Sequence, residues 1–196
     1  MILTEFSMWH IINGNLTGNL VIQSLGNSTV FLWDTTDGTA GNVFVIDTDS
    51  SIIWANLTAI GRNTTGGNAS NDWGEIDSAL QTSNYSDSVN RTFLAGEVPL
   101  NLTTFIIYTY TIENVSVANS TNNSVFTTGV MWDRTDDAAG AGHGEYNGTE
   151  DIVFATAIKR NQLGKYGNYD FEMRVPSALK SYKQPQSSVT FFVELR

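Results

Sequence analysis

The chain has no cysteine among its 196 residues. Disulfides, thiol catalysis and cysteine-ligated zinc are excluded, so packing alone must hold the fold. Charge is scarce as well. Charged residues make up 15% of the chain, with 10 bases against 20 acids and a formal net charge of −10. No basic patch exists to displace counterions from phosphates, which argues against nucleic acid. Anionic membrane surfaces are disfavoured for the same reason. No signal peptide or spanning segment is visible. The longest apolar stretch, TFIIYTYTI (104–112), is too short and too polar to cross a bilayer. Direct membrane insertion is therefore not expected, and the chain is either cytosolic or has had a targeting segment removed.

Asparagine and the hydroxyl residues are abundant and decide between these two. Asn-x-Ser/Thr occurs twelve times, at Asn15, Asn27, Asn56, Asn63, Asn68, Asn84, Asn90, Asn101, Asn114, Asn119, Asn122 and Asn147. With 19 Asn and 40 Ser plus Thr, chance gives about four. The excess points to N-linked glycans on an exported protein, located outside the cell or on its surface. A Ser/Thr/Asn-rich β-protein with many turns also inflates the count. Asn56 shares strand parity with Trp54 and Ile60 in SIIWANLTAI (51–60). If that face is core, Asn56 cannot carry a sugar.

The chain also echoes itself. WDTTDGTAG (33–41) returns as WDRTDDAAG (132–140), and residues 3–41 match 102–140 at 11 of 39 positions without a gap. TAIGRN (58–63) then meets TAIKRN (156–161), and Thr92-Phe93 meets Thr190-Phe191. A tandem duplication of about 98 residues follows from this spacing, joined near GEVPLN (96–101). NVFVID, SIIWANLTAI, FIIYTYTI, DIVFATAI and VTFFVEL are rich in β-branched and aromatic residues and are separated by Asn/Gly/Ser/Thr/Asp clusters. No stretch shows a sustained helical period, and DSALQT and SALKSY each suit a single helical turn. The expected fold is all-β, two tandem immunoglobulin-like β-sandwich repeats spanning 1–98 and 99–196. One larger sandwich with internal pseudo-symmetry is the alternative.

The two Trp-Asp segments admit two readings. In one, each is a strand end with a half-buried Trp and a turn stabilised by Asp side chains on nearby amides. In the other, Asp34 and Asp37 in the first half, and Asp133, Asp136 and Asp137 in the second, supply hard oxygens to calcium. The EF-hand pattern is absent. Enzymatic readings are weaker. His10 and His143 are the only histidines and do not align between the halves. No GxSxG, GxGxxG or Walker pattern occurs. No catalytic residue and no enzymatic function are expected.

Charge is uneven. Residues 1–98 hold 10 acids and 2 bases, whereas 99–196 hold 10 acids and 8 bases. Six of those bases, Lys159, Arg160, Lys165, Arg174, Lys180 and Lys183, form either a solvated face or the basic end of a head-to-tail homopolymer. Edge strands of a sandwich add a route to β-augmentation.

Dense sequons, missing Cys, low acidic charge and phrases such as NVSVANSTNNSVFTTG (114–129) and YDFEMRVPSAL (169–179) give a chain that resembles archaeal cell-surface and extracellular filament proteins. The resemblance is one of composition over the whole chain. It implies an exported, N-glycosylated β-sandwich subunit of a pilus, thread, sheath or surface layer. The chain departs from archaeal type IV pilins and archaellins, which begin with a long hydrophobic helix. Strand exchange or side-by-side packing must replace that core. The alternative is a cell-surface adhesin or ligand-binding ectodomain, with or without calcium, that recognises a glycan or another cell.

Overall fold

A strand buried on both faces reads as a continuous apolar run, whereas one buried on a single face alternates. GNVFVID is of the first kind, and it is an inner strand of the sheet that organises this protein. The computed structural model describes residues 9–16, 19–23, 29–34, 40–47, 52–61, 72–96, 98–122, 124–134, 146, 148, 150–176 and 190–196, with backbone alone for 19–23, 29–34, 47 and 190. In chain order these form β1 (Trp9–Gly14), β2 (Asn19–Gln23), β3 (Thr29–Asp34) and β4 (Gly41–Asp47). A 3₁₀ turn (Trp54–Asn56), β5 (Leu57–Ala59), α1 (Asp72–Ala79), α2 (Val89–Phe93), β6 (Leu94–Ala95) and β7 (Val98–Pro99) follow. Then come β8 (Leu102–Ile107), β9 (Tyr110–Asn119), β10 (Thr127–Asp133) and β11 (Ile152–Ala157). The chain ends with β12 (Gln162–Leu163), β13 (Asn168–Tyr169), β14 (Phe171–Pro176) and β15 (Thr190–Leu195).

The main sheet is antiparallel throughout, in the order β15-β4-β11-β10-β9-β8. β9 pairs with β10 over Thr127–Gly129, and β5 takes the same side of β10 over Met131–Asp133. β1 pairs with β14, and β2 with β3, in separate two-stranded ribbons. Each inner strand serves two cores. Val43 and Val45 of β4 join Val130, Trp132, Ile152 and Phe154 on one face. Phe44 and Ile46 join Met131, Val153 and Ala155 on the other.

The sheet curls into a half-barrel. Asn42 Nδ2 on β4 donates to the Ile106 carbonyl on β8 at 2.8 Å, although β8 lies four strands away along the ladder. In a flat sheet that separation is about 19 Å, so only strong curvature brings the two together. Phe105, Ile107, Ile112 and Val115 fill the inside of the curl. Trp54 plugs it, with its ring centroid 4.9 Å from that of Phe44, 5.8 Å from Tyr108 and 5.4 Å from Phe192. The outer face is covered by α1, α2 and the β1–β14 ribbon, which contribute Trp73, Ile76, Phe93, Met173 and Val175.

The chain is mostly β, as expected, but no tandem pair of immunoglobulin-like sandwiches is seen. β4, from before residue 98, lies between β11 and β15, from after it. The boundary at 98/99 therefore does not divide the sheet. The matched segments also fold differently. Thr92-Phe93 close the helix α2, whereas Thr190-Phe191 begin the strand β15. β3 pairs only with β2 among the described strands, whereas its counterpart β10 is central.

Candidate assembly surface

From Val98 to Tyr110 the chain alternates, and every even-numbered residue is exposed. In a soluble monomer those positions are polar. Here they are Val98, Leu100, Leu102, Thr104, Ile106, Tyr108 and Tyr110, and the six apolar or aromatic members are 43% to 67% exposed. Phe105 and Ile107 of the opposite parity are buried in the curl. β8 is thus apolar on both faces while burying only one. It is also an edge strand, paired only with β9 among the described residues.

The other edge has the same character. β15 pairs only with β4 among the described residues, and its consecutive Phe191, Phe192 and Val193 are 40% to 49% exposed. Soluble proteins blunt such edges with charge, proline or a bulge, and none of these lies within Phe191–Val193. Ile53 and Trp54 continue the apolar surface from β15 to Tyr108 and Tyr110, around a shallow depression that they share with Ile52.

A buried carboxylate sets the geometry between the two edges. Glu194 Oε2 accepts from Asn42 Nδ2 at 2.9 Å, and its Oε1 accepts from the Tyr108 amide at 2.7 Å. Tyr108 has a φ of 53°, a left-handed conformation that a bulky residue rarely adopts. Arg196 adds an ion pair to Glu194 at 3.5 Å and a bond to the Ile106 carbonyl at 2.8 Å. The β8–β9 turn is thereby fixed against β15, with both apolar edges facing outwards.

Six sequon asparagines, Asn15, Asn84, Asn101, Asn114, Asn119 and Asn122, are exposed, and Asn56 and Asn90 are half-buried. No described sequon asparagine is buried, whereas Asn42, outside any sequon, is. Asn27, Asn63, Asn68 and Asn147 lie outside the described residues. Asn56 stands in the 3₁₀ turn rather than on a strand, so the parity argument against it does not apply.

Of the proposed calcium ligands, Asp37, Asp136 and Asp137 lie outside the described residues, and Asp34 is described by its backbone alone. Asp133 is fully buried, and its Oδ2 accepts the Ile53 amide at 2.6 Å. That bond reaches across 80 residues rather than to a neighbouring turn amide, and it anchors the segment that carries the Trp54 plug. Trp132 beside it is fully buried rather than half-buried. Among the described residues no group of three or more acids or histidines is arranged to hold a metal. His10 is exposed on β1, and His143 lies outside the described residues.

The basic run is dispersed into local contacts. Lys159 donates to the Val125 carbonyl at 2.6 Å, and Arg160 pairs with Asp170 at 3.0 Å. Lys165 and Arg174 meet across one cleft, and Lys180 and Lys183 lie outside the described residues. Among the described residues no helix is long and apolar enough to cross a membrane.

Family models, curated proteins and solved structures give no match to this chain. The surface must therefore be read from its own chemistry. The exposed stripe went unread in the sequence, although VPLNLTTFIIYTYTI (98–112) carries apolar residues in both strand registers, a signal that could have found it. The β15 edge carries no such signal, since VTFFVEL reads equally well as an inner strand.

Proposed function

We propose that the chain is a glycosylated, self-associating structural subunit outside the cell, in a filament, sheath or surface layer. The observation that carries this reading is the apolar stripe of Val98–Tyr110, whose Leu102 and Ile106 stand on β8, an edge strand among the described residues. Half-exposed side chains of this size gain roughly 0.7–1.5 kcal/mol each on full burial, so the six supply about 4–9 kcal/mol. Association costs about 4–15 kcal/mol. A single contact along the stripe is therefore weak, and backbone pairing along β15 or β8 with burial of Phe191–Val193 makes it specific. Two different edges, β8 and β15, allow a heterologous contact that does not close on itself, which is the geometry of a head-to-tail polymer. The exposed sequons support the glycosylated part of this reading, and one of them, Asn101, lies within the stripe itself.

The test pairs electron microscopy of native material with intact mass. Filaments or sheets built from a species well above 21.5 kDa support both assembly and glycosylation. A monodisperse, unmodified monomer over a range of salt and concentration refutes them.

A further inference from the structure

A cleft of about 440 Å³ that shares no lining residue with the stripe is lined by Trp9, Asp87, Thr121, Asn122, Lys165 and Arg174 among others. Its central group is the Arg174 guanidinium. Nε donates to the Ser120 carbonyl at 3.1 Å, and the group lies over the Trp9 ring with Cζ 5.6 Å from the centroid. The ring is itself fixed, because Trp9 Nε1 donates to the Asp87 carbonyl at 2.7 Å. The charges of Asp87 and Glu172 both act on Arg174, but neither carboxylate comes within ion-pair distance of it among the described residues. The Glu172 carboxylate nearby accepts from Thr121 Oγ1 at 3.0 Å and from the Lys165 amide at 2.7 Å. The planar fork of Arg174 is therefore held by one nitrogen, with its terminal nitrogens making no hydrogen bond to the described protein. A pre-positioned guanidinium of this kind suits bidentate recognition of a carboxylate.

The remaining lining narrows the ligand. Lys165, exposed, adds a second cation, and Asn122 adds an exposed amide. Asp87 introduces a negative charge into the same cleft, which disfavours a bare anion but accepts hydroxyl groups. A molecule bearing both hydroxyls and one carboxylate satisfies both halves. The volume is in the range of small-molecule sites. Asn122, a sequon asparagine, stands on the wall, so a sugar chain can begin at the cleft itself. From these contacts we infer that this cleft binds a carboxylated saccharide, with Arg174 and Lys165 on the carboxylate and Asp87 and Asn122 on hydroxyls. The site does not depend on the assembly reading.

The test uses the full chain made in a host without N-glycosylation, titrated with D-glucuronate, D-glucose and acetate. The Trp9 indole N–H resonance is the reporter. The expected result is a saturable shift with glucuronate in the millimolar range, about 10-fold weaker binding of glucose, and none of acetate. Lys165→Ala, an exposed change that leaves the fold intact, and Arg174→Gln should each weaken glucuronate at least about 10-fold. No saturable shift up to about 50 mM glucuronate overturns the proposal. So does equal binding of acetate, or a Lys165→Ala protein that binds as wild type does. Native glycosylated protein then gives the source of the sugar. If free glucuronate binds only after Asn122→Gln, the chain's own glycan occupies the cleft. If it binds without that change, the saccharide comes from outside. Both results uphold the site.

Discussion

Asp170 is the place to test whether buried carboxylates do for this cysteine-free chain what disulfides do elsewhere. Its Oδ2 accepts the Leu16 amide at 2.8 Å, across 154 residues, and Arg160 Nη1 at 3.0 Å, while Oδ1 accepts the Asn161 amide at 3.0 Å. Asp170→Ala removes all three. Each amide bond to a charged acceptor contributes about 1.5–3 kcal/mol, and the part-exposed Arg160 pair adds about 0.5 kcal/mol. Water reaches the freed amides in part, which leaves a net loss of about 3 kcal/mol. For a chain of this length that lowers Tm by about 6–12 °C. The pH dependence has a definite sign. Burial pushes the Asp170 carboxyl up, but the Asn161 and Leu16 amides and the Arg160 charge outweigh it and hold its pKa below the ordinary value. The stabilisation is therefore complete above the ordinary carboxylate pKa and is lost as pH falls through the lower, folded value. Thermal melts of wild type and Asp170→Ala by circular dichroism should differ most at neutral pH and converge as pH falls through the lowered, folded value. A difference under about 2 °C at neutral pH, or a gap that fails to narrow in acid, refutes the reasoning.

Leu102→Glu combined with Ile106→Glu should abolish assembly while leaving the monomer's Tm within about 3 °C, because both side chains are already half-exposed; sedimentation velocity reads the first and calorimetry the second. Since the subunit carries a net charge of −10, association should strengthen as salt rises toward about 1 M, and weakening instead would point to an ion-paired interface. Peptide mass spectrometry of native protein should find glycans at Asn84 and Asn119, and bare asparagine at both would count against export through a glycosylating pathway. Gly41→Ala should cost about 3 kcal/mol or more. Gly41 has a φ of 144°, and an added Cβ would land on the Glu194 carbonyl oxygen. A soluble variant with an unchanged melting curve would contradict the β4–β15 pairing described here.

The strands of the sheet were the most legible part of the sequence. NVFVID and DIVFATAI carry side chains that suit burial on both faces, and both are inner strands. The helices were not legible. α1 buries Trp73 and Ile76 but also Asp72 and Asp77. Asp72 accepts amides from Gly61 and Tyr146, and Asp77 accepts from Thr82 and from Asn90 at the start of α2. A helix whose inner face is half acidic shows no apolar period. The internal repeat misled because a short identity such as Thr-Phe has no fixed conformation. Ser88 Oγ caps α2 by accepting from Arg91 N at 3.3 Å, and β15 is set by its ladder to β4. The saccharide cleft draws on residues 9, 87, 120–122, 165 and 174, which no local pattern joins.

The pairing of β15 with β4 also bears on when this protein can fold. Thr190 meets Ile46 and Leu195 meets Gly41, so β15 is the immediate neighbour of a strand made about 150 residues earlier. The seam at Asn42, Glu194 and Arg196 waits for the same residues. Such distant pairings fold slowly, and here they cannot begin until β15 itself has been made. The β4–β15 ladder and its seam therefore close after β8, β9 and β10, whose partners lie close in sequence.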